Sequence, residues 1–398
     1  MGNKIIRFTA RPNLKYPLQA IIYFAIRNIE SNLISQFLKF SDQLLFTNIM
    51  FIGELFAGLI VYLYQKKFVK KTLVKDTTPN KLVDKILKKA EKRIKVIDSK
   101  IKIIFMLFCC GSFDFTQFFL SVNTLQFINI SSSLSLRLGG LMLLLDSAFY
   151  YFVLSFPILK HQKFCIIAIG ICSLIIIFTE FIFQEFNIFL SYGKFIVIIL
   201  FSFSKFFFHA MIGVNEKYLY EFNNMDPFYS LIFEGLFGFL LTFFYDFYYN
   251  PLDKLIEFKK NRKSSEFAIL IIGLIIFAIL SGLRNLYRVN TTKIFTPMTT
   301  SAIEYILNPV YFILNFSLGV DFITKGKRNY VYFFVNLILG FLNSIFGLAF
   351  NEFMILFFCG LDKDTHYEIA IRSELDDAYI LKDLKKEDED DIGVGEED

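Results

Sequence analysis

The sequence contains no tryptophan, three histidines, five cysteines and eight prolines in 398 residues. Each scarcity excludes a kind of chemistry. Histidine occurs only at His161, His209 and His366, and none stands in an HExxH, a nucleophile elbow or a Ser/His/Asp arrangement; no Walker loop is present either. Hydrolytic and ATP-driven chemistry are therefore not expected, and the chain reads as a non-enzyme without cofactor or metal. Cys109, Cys110, Cys165, Cys172 and Cys359 lie in or beside apolar blocks without CxxC or His spacing. They read as small buried hydrophobes, not as a disulfide frame. The missing tryptophan stands beside 53 phenylalanines, with Lys, Ile and Asn also abundant. Phe is spread through every apolar block, so this is codon-level bias toward A and T and not an aromatic cage. Lys4, Arg7, Arg11 and Lys15 precede an apolar stretch interrupted by polar residues, which lacks the short core and cleavage site of a signal peptide.

What the chain has in excess is apolar residues: 55%, with a mean hydropathy of +0.51. They come in blocks of about 20 residues, the length a helix needs to cross a bilayer core of roughly 30 Å. The expected fold is an all-α membrane protein with ten transmembrane helices. The predicted spans are 16–38, 44–64, 101–122, 128–152, 164–183, 191–212, 228–248, 267–289, 297–318 and 330–357. Before the first lies a short N-terminus, 1–15. Between spans two and three, residues 66–102 carry fourteen Lys or Arg against four Asp or Glu, with Val83, Ile86, Leu87, Ala90, Ile94 and Ile97 at helical spacing. This predicts a basic amphipathic helix lying on an anionic cytosolic leaflet. Residues 359–398 form an acidic, disordered tail. Ten spans put both termini on one side, and the basic loop makes that side cytosolic.

The spans repeat. Val122-Asn123-Thr124 reappears as Val289-Asn290-Thr291, an offset of 167 (289 less 122). At that offset Ser132 and Ser133 meet Thr299 and Thr300, Arg137 meets Glu304, and Lys160 meets Lys327. These two stretches are predicted to be hairpins, each an apolar arm, a tight turn and a second apolar arm. Leu55-Phe56-Ala57-Gly58-Leu59 of span two matches Leu236-Phe237-Gly238-Phe239-Leu240 of span seven, with Glu54 and Glu234 nearly aligned. Residues 16–190 and 191–358 are thus read as two five-helix halves. An odd number of spans per half inverts one copy against the other, a 5+5 inverted repeat of the kind secondary transporters use.

Two strings carry a resemblance: Asn215-Glu216-Lys217-Tyr218-Leu219-Tyr220, and Glu234-Gly235-Leu236-Phe237-Gly238-Phe239. Together with Gly53-Glu54 and Phe113-Asp114-Phe115-Thr116, they resemble the drug/metabolite transporter superfamily, and within it the solute carrier family 35, subfamily F, member-six-like proteins. The similarity covers roughly residues 20–350; the acidic tail has no counterpart. It implies ten helices, residence in an endomembrane such as Golgi, lysosome or vacuole, and transport of a small polar organic solute, nucleotide sugars being carried by some relatives.

Ionisable groups at helix-centre depth cost several kcal/mol unless partnered, so they mark candidate sites. Arg137 and Glu304 stand at equivalent places in the two halves. Arg137 is expected to hold an anionic solute group through its planar fork, with Glu304 competing for it or carrying a proton. Glu54 and Glu234 lie beside glycines of paired spans. Asp114 and Gln117 share a face of span three, Lys205 and His209 a face of span six. Asn308-Pro309 marks a helix break in span nine. Arg284 and Arg288 are read as interfacial anchors. The expected partners are a small-molecule substrate and the lipid membrane, with no nucleic acid and a homodimer left open. The competing expectation is a non-transporting multi-pass scaffold or receptor-like subunit that keeps the fold.

Overall fold

The computed structural model describes residues 6–8, 15–40, 42–68, 99–128, 140–154, 158–183, 188–249, 251–304, 309–310, 312–313, 323–324, 327–328, 330–357, 359–363 and 365. In chain order its helices are α1 (Lys15–Phe37), α2 (Gln43–Phe68), α3 (Lys100–Ile128), α4 (Gly140–Leu154), α5 (Lys160–Phe183) and α6 (Ile188–Phe222). Then follow α7 (Pro227–Tyr249), α8 (Pro251–Asn261), α9 (Ser264–Ile294), α10 (Pro297–Glu304) and α11 (Tyr330–Phe350). Among the described residues, α2, α3, α5, α7, α9 and α11 are long and apolar enough to cross a membrane, and α4 is a shorter apolar helix. The molecule is a helical multi-pass membrane protein. On α5, for example, Cys165, Ile169, Cys172 and Ile176 are buried while Ile167, Ile171, Leu174 and Phe178 are exposed. A helix apolar on both faces belongs in lipid, where the outward face meets hydrocarbon and not water.

Local chemistry sets where these helices begin. Asp42 Oδ1 accepts the amides of Leu44 (3.1 Å) and Leu45 (3.2 Å) at the start of α2. Asp226 Oδ1 accepts that of Phe228 (2.9 Å), and Thr296 Oγ1 that of Thr299 (3.2 Å). In the last two cases proline follows the cap and opens the helix, its missing N–H wasting no bond.

The ends depart from the expected spans. Val122-Asn123-Thr124 and Val289-Asn290-Thr291 do not make turns: both lie inside helices, about one turn before the ends of α3 and α9. The apolar run 330–357 is not one span either. Glu352 takes a φ of 59°, its amide bonds Ala349 O at 3.1 Å, and the Phe353 amide bonds Leu348 O at 3.0 Å. That pair of bonds closes a helix C-terminus, so α11 stops at Phe350. The chain then forms β4 (Met354–Leu356), which pairs antiparallel with β1 (Ile6–Phe8), Ile6 opposite Leu356 and Phe8 opposite Met354. His161, at the start of α5, lies 3.3 Å from the Glu352 carboxylate. A second short ladder joins β2 (Ile323–Thr324) to β3 (Lys327–Arg328). Packing continues into the predicted tail, where Leu361 and Thr365 are buried. The predicted amphipathic segment beyond Phe68, up to residue 98, and residues 366–398 lie outside the described residues.

The helices pack in definite pairs. α2 lies against α7 and α9, α1 against α9, α3 against α6 and α7, α4 against α5, α6 and α10, and α11 against α5 and α10; α1 also touches α10. Two glycine contacts draw the centre together. A Cβ on Gly53 would collide with the backbone of Ala278 on α9, and one on Gly282 would lie 2.5 Å from the Gly53 carbonyl oxygen. A Cβ on Gly235 would lie 2.6 Å from the Leu55 amide nitrogen. Small residues let helix backbones approach closely in a bilayer. Here they set α2 between α7 and α9, with Glu54 and Glu234 each next in sequence to a contact glycine.

Candidate functional site

The site grows from one face of α9. Ser281, Asn285, Arg288 and Thr292 recur at three- and four-residue steps and are all buried. This is a polar stripe on an otherwise apolar helix, turned inward because lipid offers no hydrogen bonds. Arg288, 7% exposed, is the hub. Its Nη1 lies 2.6 Å from Glu216 Oε1 on α6, and its Nη2 lies 2.8 Å from Glu234 Oε2 on α7. Glu216 is 0% and Glu234 1% exposed. The guanidinium fork thus holds one carboxylate on each arm, the geometry for which arginine is suited.

Asn285 extends the network. Its Oδ1 accepts from Arg288 Nε at 3.2 Å and from Arg284 Nη1 at 2.5 Å, while its Nδ2 donates to Glu54 Oε1 on α2. Asn285 therefore joins two cations to an acid of α2. Asp114 on α3 stands within electrostatic reach of Glu54, Arg284 and Arg288. On the α1 side, the guanidinium carbons of Arg27 and Arg284 lie 5.3 Å and 5.5 Å from the Phe24 ring centroid, and Tyr23 stacks on Tyr287 at 5.6 Å. Four carboxyl groups from α2, α3, α6 and α7 thus meet two guanidinium groups of α9.

Of the residues expected from sequence, Glu54, Asp114 and Glu234 come together here. Gln117 is half-buried on α3, one turn beyond Asp114. Lys205 is half-buried on α6, eleven residues before Glu216 and so about 16 Å along the helix axis. It lies in another part of the bundle. Arg137 and Asn308 lie outside the described residues; Glu304 ends α10, with its side chain outside them as well. The expected Arg137–Glu304 contact therefore falls outside the described residues. A different contact joins those regions of the chain: Asp146 on α4 accepts a hydrogen bond from Ser301 on α10, both buried.

Three members of the network were not expected. Arg288 is no interfacial anchor, since two buried carboxylates hold it inside the bundle. Glu216 appeared only as a letter in the Asn215-Glu216-Lys217 string, and Asn285 not at all. The polar stripe of four residues on α9 is the sequence signal for Asn285 and Arg288; it carries none for Glu216, which lies on α6. The adjacent Lys217 has its own task. Its Nζ donates to the carbonyls of Lys293 (2.9 Å) and Phe295 (2.8 Å) and meets Glu221 Oε1 at 2.6 Å. Glu216 and Lys217 thus clamp the C-terminal part of α9, one at Arg288 and the other at the helix end. No protein-family model and no curated protein matches this chain.

Proposed function

We propose that the protein is a secondary transporter that moves a small polar organic solute through the α2–α3–α6–α7–α9 junction by alternating access. The observation that carries this reading is the buried network around Arg288. Charges at such depth are costly and are retained at solute or ion pathways, and in inverted-repeat transporters the site lies where the halves meet. The pattern of helix pairs supports a 5+5 repeat. Exchanging α1, α2, α3, α4 and α5 for α6, α7, α9, α10 and α11 turns α1–α9 into α6–α3, α2–α9 into α7–α3, α4–α6 into α10–α1 and α4–α5 into α10–α11. Each image is also a packed pair, and α2–α7, α4–α10 and α5–α11 map onto themselves. Helix α8 is then an insertion between the second and third helices of the later half. Membership of the drug/metabolite transporter superfamily, cytosolic termini and an endomembrane location belong to the same proposal. The excess of Lys and Arg in 66–102 supports the orientation.

A non-transporting scaffold is the second reading, and the glycine contacts that lock α2 between α7 and α9 favour it. The two differ in whether the network meets solute. Purified protein is screened against polar metabolites by thermal shift, since a ligand that binds only the folded state raises Tm. Hits are then tested for uptake into proteoliposomes. The transporter reading expects a stabilising solute that is taken up by the wild type and not by Arg288→Gln. Uptake that persists in a folded Arg288→Gln protein removes the network from the pathway.

A further inference from the structure

We infer that Glu216 and Glu234 form a proton-binding carboxyl pair bridged by Arg288, and that their proton is the one coupled to solute movement. The coupling part rests on the transporter reading; the proton site stands on the geometry of the pair.

Both carboxyl groups sit on one guanidinium, at 2.6 Å and 2.8 Å, on its two terminal nitrogens. Both are buried, Glu216 at 0% and Glu234 at 1% exposure. Two ionised carboxyl groups buried on one cation repel each other, and one arginine neutralises one negative charge, not two. The neighbouring helices supply no surplus of positive charge. The groups that act on Glu234 are Asp114 and Cys110 from α3, Glu216 and Tyr220 from α6, and Arg288 from α9, and Asp114 joins these to Glu54 of α2 and Arg284 of α9. Arg27 of α1 reaches Glu54 and Asp114 but brings Glu30 with it. Counting all of these, five carboxyl groups meet three guanidinium groups. Around the buried Glu216 and Glu234 such an excess is met by protons or by bound cations. Among the described residues no three His, Cys, Asp or Glu side chains converge as ligands of a metal ion. The proton is the simpler counter-charge.

The pair is also wired to move something. With one proton between the two acids, Arg288 answers to a single net negative charge. When the proton leaves, both arms of its fork are held by full charges, and α9 is drawn to α6 and α7 together. When the proton returns to Glu234, one arm is freed and α7 can part from α9. Because Asn285 ties the same arginine to Glu54, the change is felt on α2 as well.

The test uses the full-length protein in proteoliposomes. Infrared spectroscopy follows the carbonyl stretch of protonated carboxyl groups as pH is raised, with carbon-13 glutamate labelling to separate Glu from Asp. The expected result is a glutamic-acid band in the wild type that fades as pH rises and is lost in Glu234→Gln or in Glu216→Gln. A band that is absent at every pH where the protein stays folded overturns the inference. So does one that ignores the glutamate label, or one that persists unchanged in both variants. The labelled wild type decides the matter even where a variant fails to fold. In the second arm, a solute found by thermal shift is loaded with a pH-sensitive dye. Uptake driven by a pH gradient, with dye response, supports coupling. Uptake that follows a sodium gradient, or no gradient, overturns coupling and leaves transport standing. A titrating glutamate band with no uptake of any stabilising solute removes the transporter reading and leaves the proton site.

Discussion

At Arg288 the balance of terms is unusually exposed. Taking a guanidinium and two carboxyl groups out of water costs several kcal/mol per ion, and only close, well-directed contacts offset it. The structure supplies those contacts from three helices at once. Arg288→Leu should therefore be far worse than an ordinary core substitution, since it leaves Glu216 and Glu234 buried without their cation. A loss of about 3–5 kcal/mol is expected, read from denaturant unfolding in detergent. Arg288→Lys keeps the charge but cannot span two carboxylates in one plane, and should fall between wild type and Arg288→Leu. Glu54 is a gentler case. It accepts the amide donor of Asn285, so Glu54→Gln retains an acceptor and should shift stability by less than about 1 kcal/mol, whereas Glu54→Ala removes the acceptor and opens a hole. A large loss in Glu54→Gln would show that its negative charge, and not its hydrogen bond, holds α2 in place.

At the scale of elements, two devices fix α9. One is the glycine contact with α2. Gly53→Ala puts a methyl group into the backbone of Ala278, and Gly282→Ala puts one against the Gly53 carbonyl. Each should cost about 1–3 kcal/mol by forcing the helices apart. Because they strain one interface, the double variant should lose less than the sum of the two, measured as a double-mutant cycle of unfolding free energies. The other device is Lys217, which satisfies carbonyls that the end of α9 leaves without helical partners. In Lys217→Met these part-buried oxygens lose their donor. The expected loss is about 1–3 kcal/mol, with faster protease cleavage between Lys293 and Pro297. Neither device is visible in hydropathy. A glycine in an apolar run and a lysine near a helix end each have many uses, and only the neighbouring helix selects one.

For the whole molecule, the β1–β4 ladder makes a testable statement about topology. Residues 6–8 and 354–356 pair with one another, the contact that the proposed even number of crossings would require. Cysteines at Arg7 and Ile355, which face each other in register, should form a disulfide in a Cys359→Ser background under mild oxidation. After cleavage at a protease site inserted within residues 69–98, the two fragments should remain joined on a non-reducing gel. Separation of the fragments would place the two segments apart in the membrane-embedded protein.

Much of this was legible in the chain. The apolar blocks fixed the class, because about 20 residues of helix match a bilayer whatever surrounds them. The glycine-flanked acids Glu54 and Glu234, with Asp114, are costly in lipid on sequence grounds alone, whatever their partners. Partner choice was not legible. Arg288 lies near the end of an apolar block, where a cation can anchor at the headgroups equally well. What buries it is the approach of Glu216 and Glu234 from α6 and α7, 72 and 54 residues away in sequence. Helix ends were decided in the same way. The apolar run 330–357 is continuous in composition, and it breaks at Phe350 because Glu352 takes a left-handed turn beside His161 and the next residues pair with Ile6–Phe8. Hydropathy reads the solvent of each segment, which is a local property. Charge pairing and helix contact are set by distance in space, and those only the tertiary structure could decide.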